Sequence, residues 1–180
     1  MSKLRPDVNT GDHHFGNQRA SVILVEFGDF ECPHCGRAHP LIKRLLEEMG
    51  DAIHFVFRHF PLQEIHPHAY MAAIAAEAAG KQNKFWKMHD LIFENQQRLN
   101  ANVLLDLAQE INLELQQFAS DWKSEPVQGK VESDFESGVR SGVNGTPTFF
   151  LNGQPINTYD TTYKSLVDAV TSILSSNNPR

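Results

Sequence analysis

Phe30-Glu31-Cys32-Pro33-His34-Cys35-Gly36-Arg37 decides how this chain is read. The stretch holds the only two cysteines among 180 residues, spaced C-x-x-C. An apolar run, Val22-Ile23-Leu24-Val25-Glu26-Phe27, leads into it. After it Ala38, Leu41, Ile42, Leu45, Leu46 and Met49 recur at helical spacing. Strand, short loop, C-x-x-C, helix is the context in which a cysteine pair is a redox motif rather than a chance pair.

The same residues set the expected chemistry. Cys32 falls at the N-cap and Pro33 at N1, where a missing N–H costs nothing and the fixed φ suits a helix start. A thiolate at Cys32 can face the N–H groups of His34 and Cys35, and the positive end of the helix dipole favours the anion. A protonated His34 would add a second favourable charge. Together these should pull Cys32 below the free thiol value of about 8.5 and make it the attacking sulfur. Cys35, one turn in and less exposed, would resolve the mixed disulfide. Half of a zinc site is the competing reading. It needs about two more ligands, no further cysteine exists, and no histidine pair has the spacing of a known finger.

Glu26 interrupts the first strand, six residues before Cys32. It is either an exposed strand end or a buried proton acceptor for the thiol of Cys35, and the chemistry of the pair favours the second. Asp29 and Glu31 read as solvated loop charges.

The length allows one domain with an elaboration, burying roughly 70% of the unfolded surface. An apolar fraction of 41% and a charged fraction of 21% are ordinary for a globular chain. A net charge of −6 argues against general nucleic-acid binding. No apolar run approaches membrane-spanning length, so no membrane insertion is expected. Met1 to Ala20 lacks the apolar segment of a signal peptide, which points to the cytoplasm, or to the periplasm if a leader was removed. With both cysteines inside the motif, no structural disulfide framework exists. His13 and His14 read as part of a solvated arm.

Ile53 to Phe60 reads as a second strand, parallel to the first through a right-handed crossover. The first helix should stop near Gly50 acting as a C′ residue. Helices follow over His66–Gly80, Lys84–Glu94, Val103–Ile111, Leu113–Trp122 and Gln128–Ser141, the last with Val131, Phe135 and Val139 on its inner face. His66 and His68 read as a polar helix start, and Phe85-Trp86 as core. Thr148–Leu151 and Gln154–Ile156 read as a hairpin around Asn152-Gly153. Tyr163 to Leu174 marks a terminal helix, and Ser175 to Arg180 should fray.

At this point the sequence resembles a known family. Val25-Glu26-Phe27 before Asp29-Phe30-Glu31-Cys32-Pro33-His34-Cys35, five helices, then Gly145-Thr146-Pro147 before Phe149-Phe150 are similar to the DsbA-like thiol-disulfide oxidoreductases. The resemblance implies an α/β thioredoxin-like fold, a central mixed sheet with a helical insertion between its βαβ and ββα halves. It implies a discontinuous thioredoxin-like domain at 19–62 and 141–180, an inserted helical domain at 63–140 and an N-terminal arm at 1–18. It also implies that Cys32 and Cys35 are the redox couple, that Pro147 is cis and faces them, that Thr146 offers backbone groups to a substrate strand, and that Glu26 is the buried carboxylate. The chain departs from the family's periplasmic prototype in carrying threonine rather than valine before that proline.

The expected function is disulfide exchange with protein thiols or disulfides, more as oxidant than reductant, recycled by a redox partner of unidentified nature. No metal or organic cofactor is implied. The alternatives are a reductase of small disulfides or peroxides, and a redox-regulated binding or chaperone module.

Overall fold

The apolar run before the cysteines is strand β2 (Val22–Gly28), with Leu24, Val25 and Phe27 fully buried. This is seen in a computed structural model that describes residues 3–176. Strand β3 (Ile53–His59) runs parallel beside it, Val22 opposite Ile53 and Gly28 opposite His59. Helix α1 (Pro33–Met49) makes the crossover between them. Strand β4 (Thr148–Leu151) pairs antiparallel with the other side of β2, so that Glu26 faces Phe149 across the ladder.

A tight turn then folds β5 (Gln154–Pro155) back onto β4. Asn152 and Gly153 both take positive φ, at 46° and 78°, which is what a two-residue hairpin loop needs. At the far edge β1 (His13–Gly16) pairs antiparallel with β3. The sheet order is β1-β3-β2-β4-β5, a mixed α/β arrangement of the thioredoxin type.

Five helices separate β3 from β4: α2 (Ala69–Gly80), α3 (Phe85–Glu94), α4 (Ala101–Glu110), α5 (Leu115–Trp122) and α6 (Glu125–Ser141). Helix α2 is their hub, packing on α3, α5 and α6. Its buried alanines let those helices approach closely on several sides. Helix α7 (Tyr163–Ser176) packs against α1.

Successive side chains of a strand point to opposite faces, and the core divides accordingly. Val22 and Leu24 join α1 and the helical insertion on one face. Val25, Phe27, Val56 and Phe150 form the smaller cluster on the other. Glu26 shares the face of Val22 and Leu24, the one that α1 covers.

Four expectations are corrected. The N-terminal segment is no solvated arm, because Arg58 on β3 is fully buried and draws it in. Its guanidinium donates to both oxygens of Asp12, at 2.8 and 2.9 Å, and to the carbonyls of Pro6 and Asp7. His13 and His14 thereby become strand residues. Gly50 is right-handed (φ −58°) and opens a short 3-10 turn through Ala52 rather than serving as a left-handed C′ residue. Val139 is 56% exposed; the inner face of α6 is Val127, Val131, Asp134, Ser137 and Gly138. A Cβ on Gly138 would fall 2.5 Å from the ring of Phe60, so that face admits only hydrogen there. Lastly, Ser175 and Ser176 still belong to α7, and the rest of the tail expected to fray lies outside the described residues. Among the described residues no helix is long and apolar enough to cross a membrane.

Candidate active site

The N-terminus of α1 carries the cysteines. Cys32 is the N-cap, with extended backbone (φ −69°, ψ 121°), and Pro33 opens the first turn. Both cysteines are free thiols and both are buried, Cys35 fully. The Cys32 thiol donates to the carbonyl oxygen of Thr146 at 3.3 Å. The Asp29 N–H donates to Cys35 Sγ at 3.4 Å. The Thr146–Pro147 peptide bond is cis.

The two sulfurs sit in opposite electrostatic surroundings. Cys32 is lowered to about 5, first by the Cys35 thiol donating to it, against the opposing effect of burial, and then by Thr146 and the N–H groups of Cys35 and His34. No first-turn N–H closes a side-chain cap hydrogen bond to the sulfur, so these groups act chiefly as oriented dipoles. Cys35 is pushed well up, chiefly by burial, then by the Cys32 sulfur and by Glu26. Glu26 is itself raised to about 8 by burial and by the charge on Cys32. Tyr159, whose ring packs edge-on against Phe149 at 4.9 Å, is raised to about 12 by burial and then by Glu26.

Three side chains hold the loop before Cys32. Asp29 is 1% exposed and accepts from the N–H groups of Glu31 (2.8 Å) and Leu62 (2.9 Å) and from His66 Nδ1 (2.8 Å). Glu31 accepts from the N–H and Nδ1 of His68, at 2.6 and 2.8 Å. Gln96, from the turn after α3, donates its amide to the carbonyls of Phe30 (2.9 Å) and Cys32 (2.8 Å). Phe30 is clamped between Phe57 and Phe93, with ring centroids 5.4 and 4.9 Å away.

Asp29 and Glu31 are therefore not solvated loop charges: partners brought from the start of the helical insertion satisfy them. His66 and His68 find their role there too.

The structure gathers Cys32, Cys35, Glu26 and Thr146 with Pro147 around the start of α1. His34 lies apart from them on the exposed side of the first turn. Its Nδ1 accepts from the Arg37 guanidinium at 2.9 Å, so Arg37 carries a cation to this turn. His13 is drawn elsewhere, its Nε2 2.7 Å from Glu77. Asp29, Gln96 and Tyr159 escaped the sequence reading as site residues. A glutamine in a three-residue 3-10 turn and a tyrosine in a loop give no periodic signal. Asp29 could have been suspected from its place between a buried strand and the motif.

On the far side of the cis-proline loop a groove of about 510 Å³ is bounded by Pro147, Thr148, Phe150 and Pro155, with neither cysteine in its lining. It runs beside the short strand β5 at the edge of the sheet.

Comparison with known proteins agrees with this geometry. The family model described as Thioredoxin matches residues 8–170. Among solved structures the chain is similar to α-DsbA2 from Wolbachia pipientis, with a TM-score of 0.79 and 22% identity over 92% of this chain and 88% of that one. BdbD from Bacillus subtilis gives 0.80 and 23% over 91% and 93%. The catalytic domain of ScsC from Proteus mirabilis gives 0.76 and 20% over 96% and 93%. At these identities the likeness shows a DsbA-like thioredoxin fold.

The curated relatives carry a different name. The chain is 43% identical over 143 residues to Na(+)/H(+) antiporter NhaA 3 of Salinispora tropica, covering 79% of this chain and 22% of that protein. It is 40% identical over 155 residues to Na(+)/H(+) antiporter NhaA 1 of Mycolicibacterium vanbaalenii, covering 85% and 25%. The chain thus spans about a quarter or less of the length of these relatives.

Proposed function

The chain belongs to the thioredoxin family, and on that premise we propose that it exchanges disulfides with protein thiols through Cys32 and Cys35, acting as an oxidant. One observation carries the reading. Two neighbouring thiols are driven apart in acidity, Cys32 down to about 5 and Cys35 up, with a buried carboxyl raised to about 8 on the same sheet face. A structural cysteine pair has no need of that asymmetry, whereas a dithiol that must release one sulfur and retain the other does.

In the oxidising direction a substrate thiolate attacks Cys32 Sγ of the Cys32–Cys35 disulfide. The S–S electron pair leaves on Cys35, and the Glu26 carboxyl supplies the proton that this buried thiolate takes up. A second substrate thiolate then attacks the substrate sulfur of the mixed disulfide and expels Cys32 as the stabilised thiolate. Two electrons pass to the enzyme, which needs an external disulfide or quinone-type acceptor to be recycled. Thr146 would present its backbone to an extended substrate segment, with the groove past Pro147 receiving the side chains.

The stretch matched in the curated relatives is about a quarter or less of those proteins. The test is oxidation of a reduced, unfolded two-cysteine protein by the preoxidised chain, beside Cys32→Ser. Stoichiometric disulfide transfer by the wild type and none by the variant is expected. No transfer by the wild type, with insulin reduction intact, would reverse the assigned direction. Equal behaviour of the two proteins in both assays would remove the enzyme reading.

A further inference from the structure

A second cluster of chemistry-bearing side chains lies away from the thiols, where α1 meets α3. His39 projects from α1, one turn beyond Cys35, and is 8% exposed; His89 on α3 is 4% exposed. The Nε2 atoms of both are buried with no hydrogen-bond partner among the described residues. Leaving a buried imidazole nitrogen unpaired is costly, and here two neighbouring rings do it. Their ring centroids are 5.4 Å apart. Asp90, at the surface beside them, has Oδ1 2.9 Å from His89 Nδ1 and 3.7 Å from His39 Nε2. One donor atom from each of the three residues lies within 4.8 Å of the other two.

Ligands held about 2.0–2.1 Å from a tetrahedral ion sit roughly 3.3 Å apart; His39 Nε2 stands 3.7 Å from Asp90 Oδ1, and an ion would displace the proton that His89 Nδ1 shares with that oxygen at 2.9 Å. Burial disfavours a charge on either ring, lowering His39 to about 4 and His89 below its ordinary value. Among the described residues the lysine facing the cluster, Lys43, takes the other carboxylate oxygen of Asp90 at 3.3 Å and reaches Glu94 at 3.5 Å, while Oδ1 keeps its contact with His89 Nδ1 at 2.9 Å. Phe57 and Trp86 pack on His89 with centroids at 4.6 and 5.1 Å, and Phe93 stacks on His39 at 4.9 Å. Those contacts fix both rings in advance. The cluster opens into a cavity of about 310 Å³ walled by Phe15, Ile42, Leu46, Phe55 and Trp86.

The other His–carboxylate group, His13, His59 and Glu77, differs. Both Nε2 atoms already close on one oxygen of Glu77 at 2.7 and 2.8 Å, so the nitrogens that face the carboxylate are engaged, although His59 Nδ1 has no partner among the described residues.

We propose that His39, His89 and Asp90 form a site for a divalent first-row transition ion, Zn²⁺ foremost, with one coordination position open to the apolar cavity. Two imidazoles and one carboxylate suit zinc, cobalt or nickel and disfavour the oxygen-seeking magnesium and calcium. The ion would pin α1, which carries the thiols, to α3 of the insertion.

The test uses the full chain with Cys32 and Cys35 oxidised to the disulfide, so that neither sulfur can bind metal. Titration with Co²⁺ should give one ion per chain, a d–d band of nitrogen and oxygen ligation, and no sulfur-to-cobalt charge-transfer band. Zn²⁺ should displace the Co²⁺ and raise the melting temperature. His39→Ala should weaken binding at least tenfold. Asp90→Asn, a surface change that leaves packing intact, should do the same and abolish the zinc-dependent thermal shift. No stoichiometric Co²⁺ binding by the oxidised wild type overturns the site, and so does unchanged affinity in either folded variant.

Discussion

The side-chain amide of Gln96 donates to the main-chain carbonyl of Cys32 at 2.8 Å, so a residue sixty-four positions downstream fixes the backbone at the sulfur. The same nitrogen holds Phe30. Its oxygen lies so close to Gly36 that a Cβ there would fall 2.3 Å away. Gln96→Ala should cost about 1–3 kcal/mol through two carbonyls left without their donor. Gly36→Ala should cost a similar amount by pushing Gln96 aside. Unfolding of the two single variants and the double variant in denaturant checks the link. The double should lose clearly less than the sum; strict additivity would mean the two do not meet.

Asp29→Ala is expected to be worse. It strips three donors of their acceptor at a group that is 1% exposed, and two of them, Leu62 and His66, come from the segment after β3. A loss of about 3 kcal/mol or more is expected, with faster hydrogen exchange at Glu31 and Leu62. A change under about 0.5 kcal/mol would make this carboxylate a bystander.

The contrast between Cys32 and Asp29 marks where sequence reading stops. The strand, the C-x-x-C and the helix are adjacent in the chain, so local rules find them: β2, α1 and the β4–β5 turn fall within a residue or two of expectation. The burial of Glu26 also follows from local information, because every neighbour in its strand is apolar. Asp29, Gln96 and the strand at His13 depend on partners supplied from elsewhere in the chain. A polar residue in a loop looks the same in sequence whether water or a distant backbone N–H satisfies it. Arg58 misleads in the same way, since its burial is compensated only when Asp12 folds back to meet it.

Glu26 should make stability depend on pH. Its folded value of about 8 stands above the ordinary 4.5. Between those limits the unfolded chain has released a proton that the folded chain still holds, so stability is full below about 4.5 and falls as pH rises toward 8. At pH 7 the loss could reach about 3 kcal/mol. Glu26→Gln should flatten this slope in the protein with the pair oxidised. In the reduced protein the lowered Cys32 thiol acts the other way, adding stability as pH rises through about 5, so the wild-type slope should be shallower with the pair reduced than with it oxidised. Parallel pH profiles for wild type and variant would place the carboxyl in water. A companion kinetic effect is expected: Glu26→Gln should slow resolution of the mixed disulfide more than the first attack, read by quenched-flow trapping.

The last prediction concerns what makes Cys32 acidic. The largest lowering influence is the Cys35 thiol, while His34 contributes through its backbone N–H and its ring is turned to Arg37. Cys35→Ala removes a donor outright; His34→Ala keeps its N–H. Thiolate absorbance should therefore show a larger rise in the Cys32 pKa for Cys35→Ala than for His34→Ala. The reverse order would restore the His34 ring as the main source of charge. The consequence for the couple can be sized. Only the dithiol form has a thiolate to stabilise, and at pH 7 stabilisation counts only once the group is ionised. Against a thioredoxin-like thiol with pKa about 7, a value of about 5 gains about 1.7 units, or ~50 mV for two electrons. That moves the potential from about −270 mV to roughly −220 mV if other terms cancel. Equilibration with glutathione measures it directly. Between pH 5 and 7 the potential should fall by about 30 mV per pH unit, since one proton accompanies two electrons once Cys32 is ionised. A potential at or below that of thioredoxin would reverse the direction of the chemistry, leaving the acid thiol to attack disulfides rather than to receive electrons.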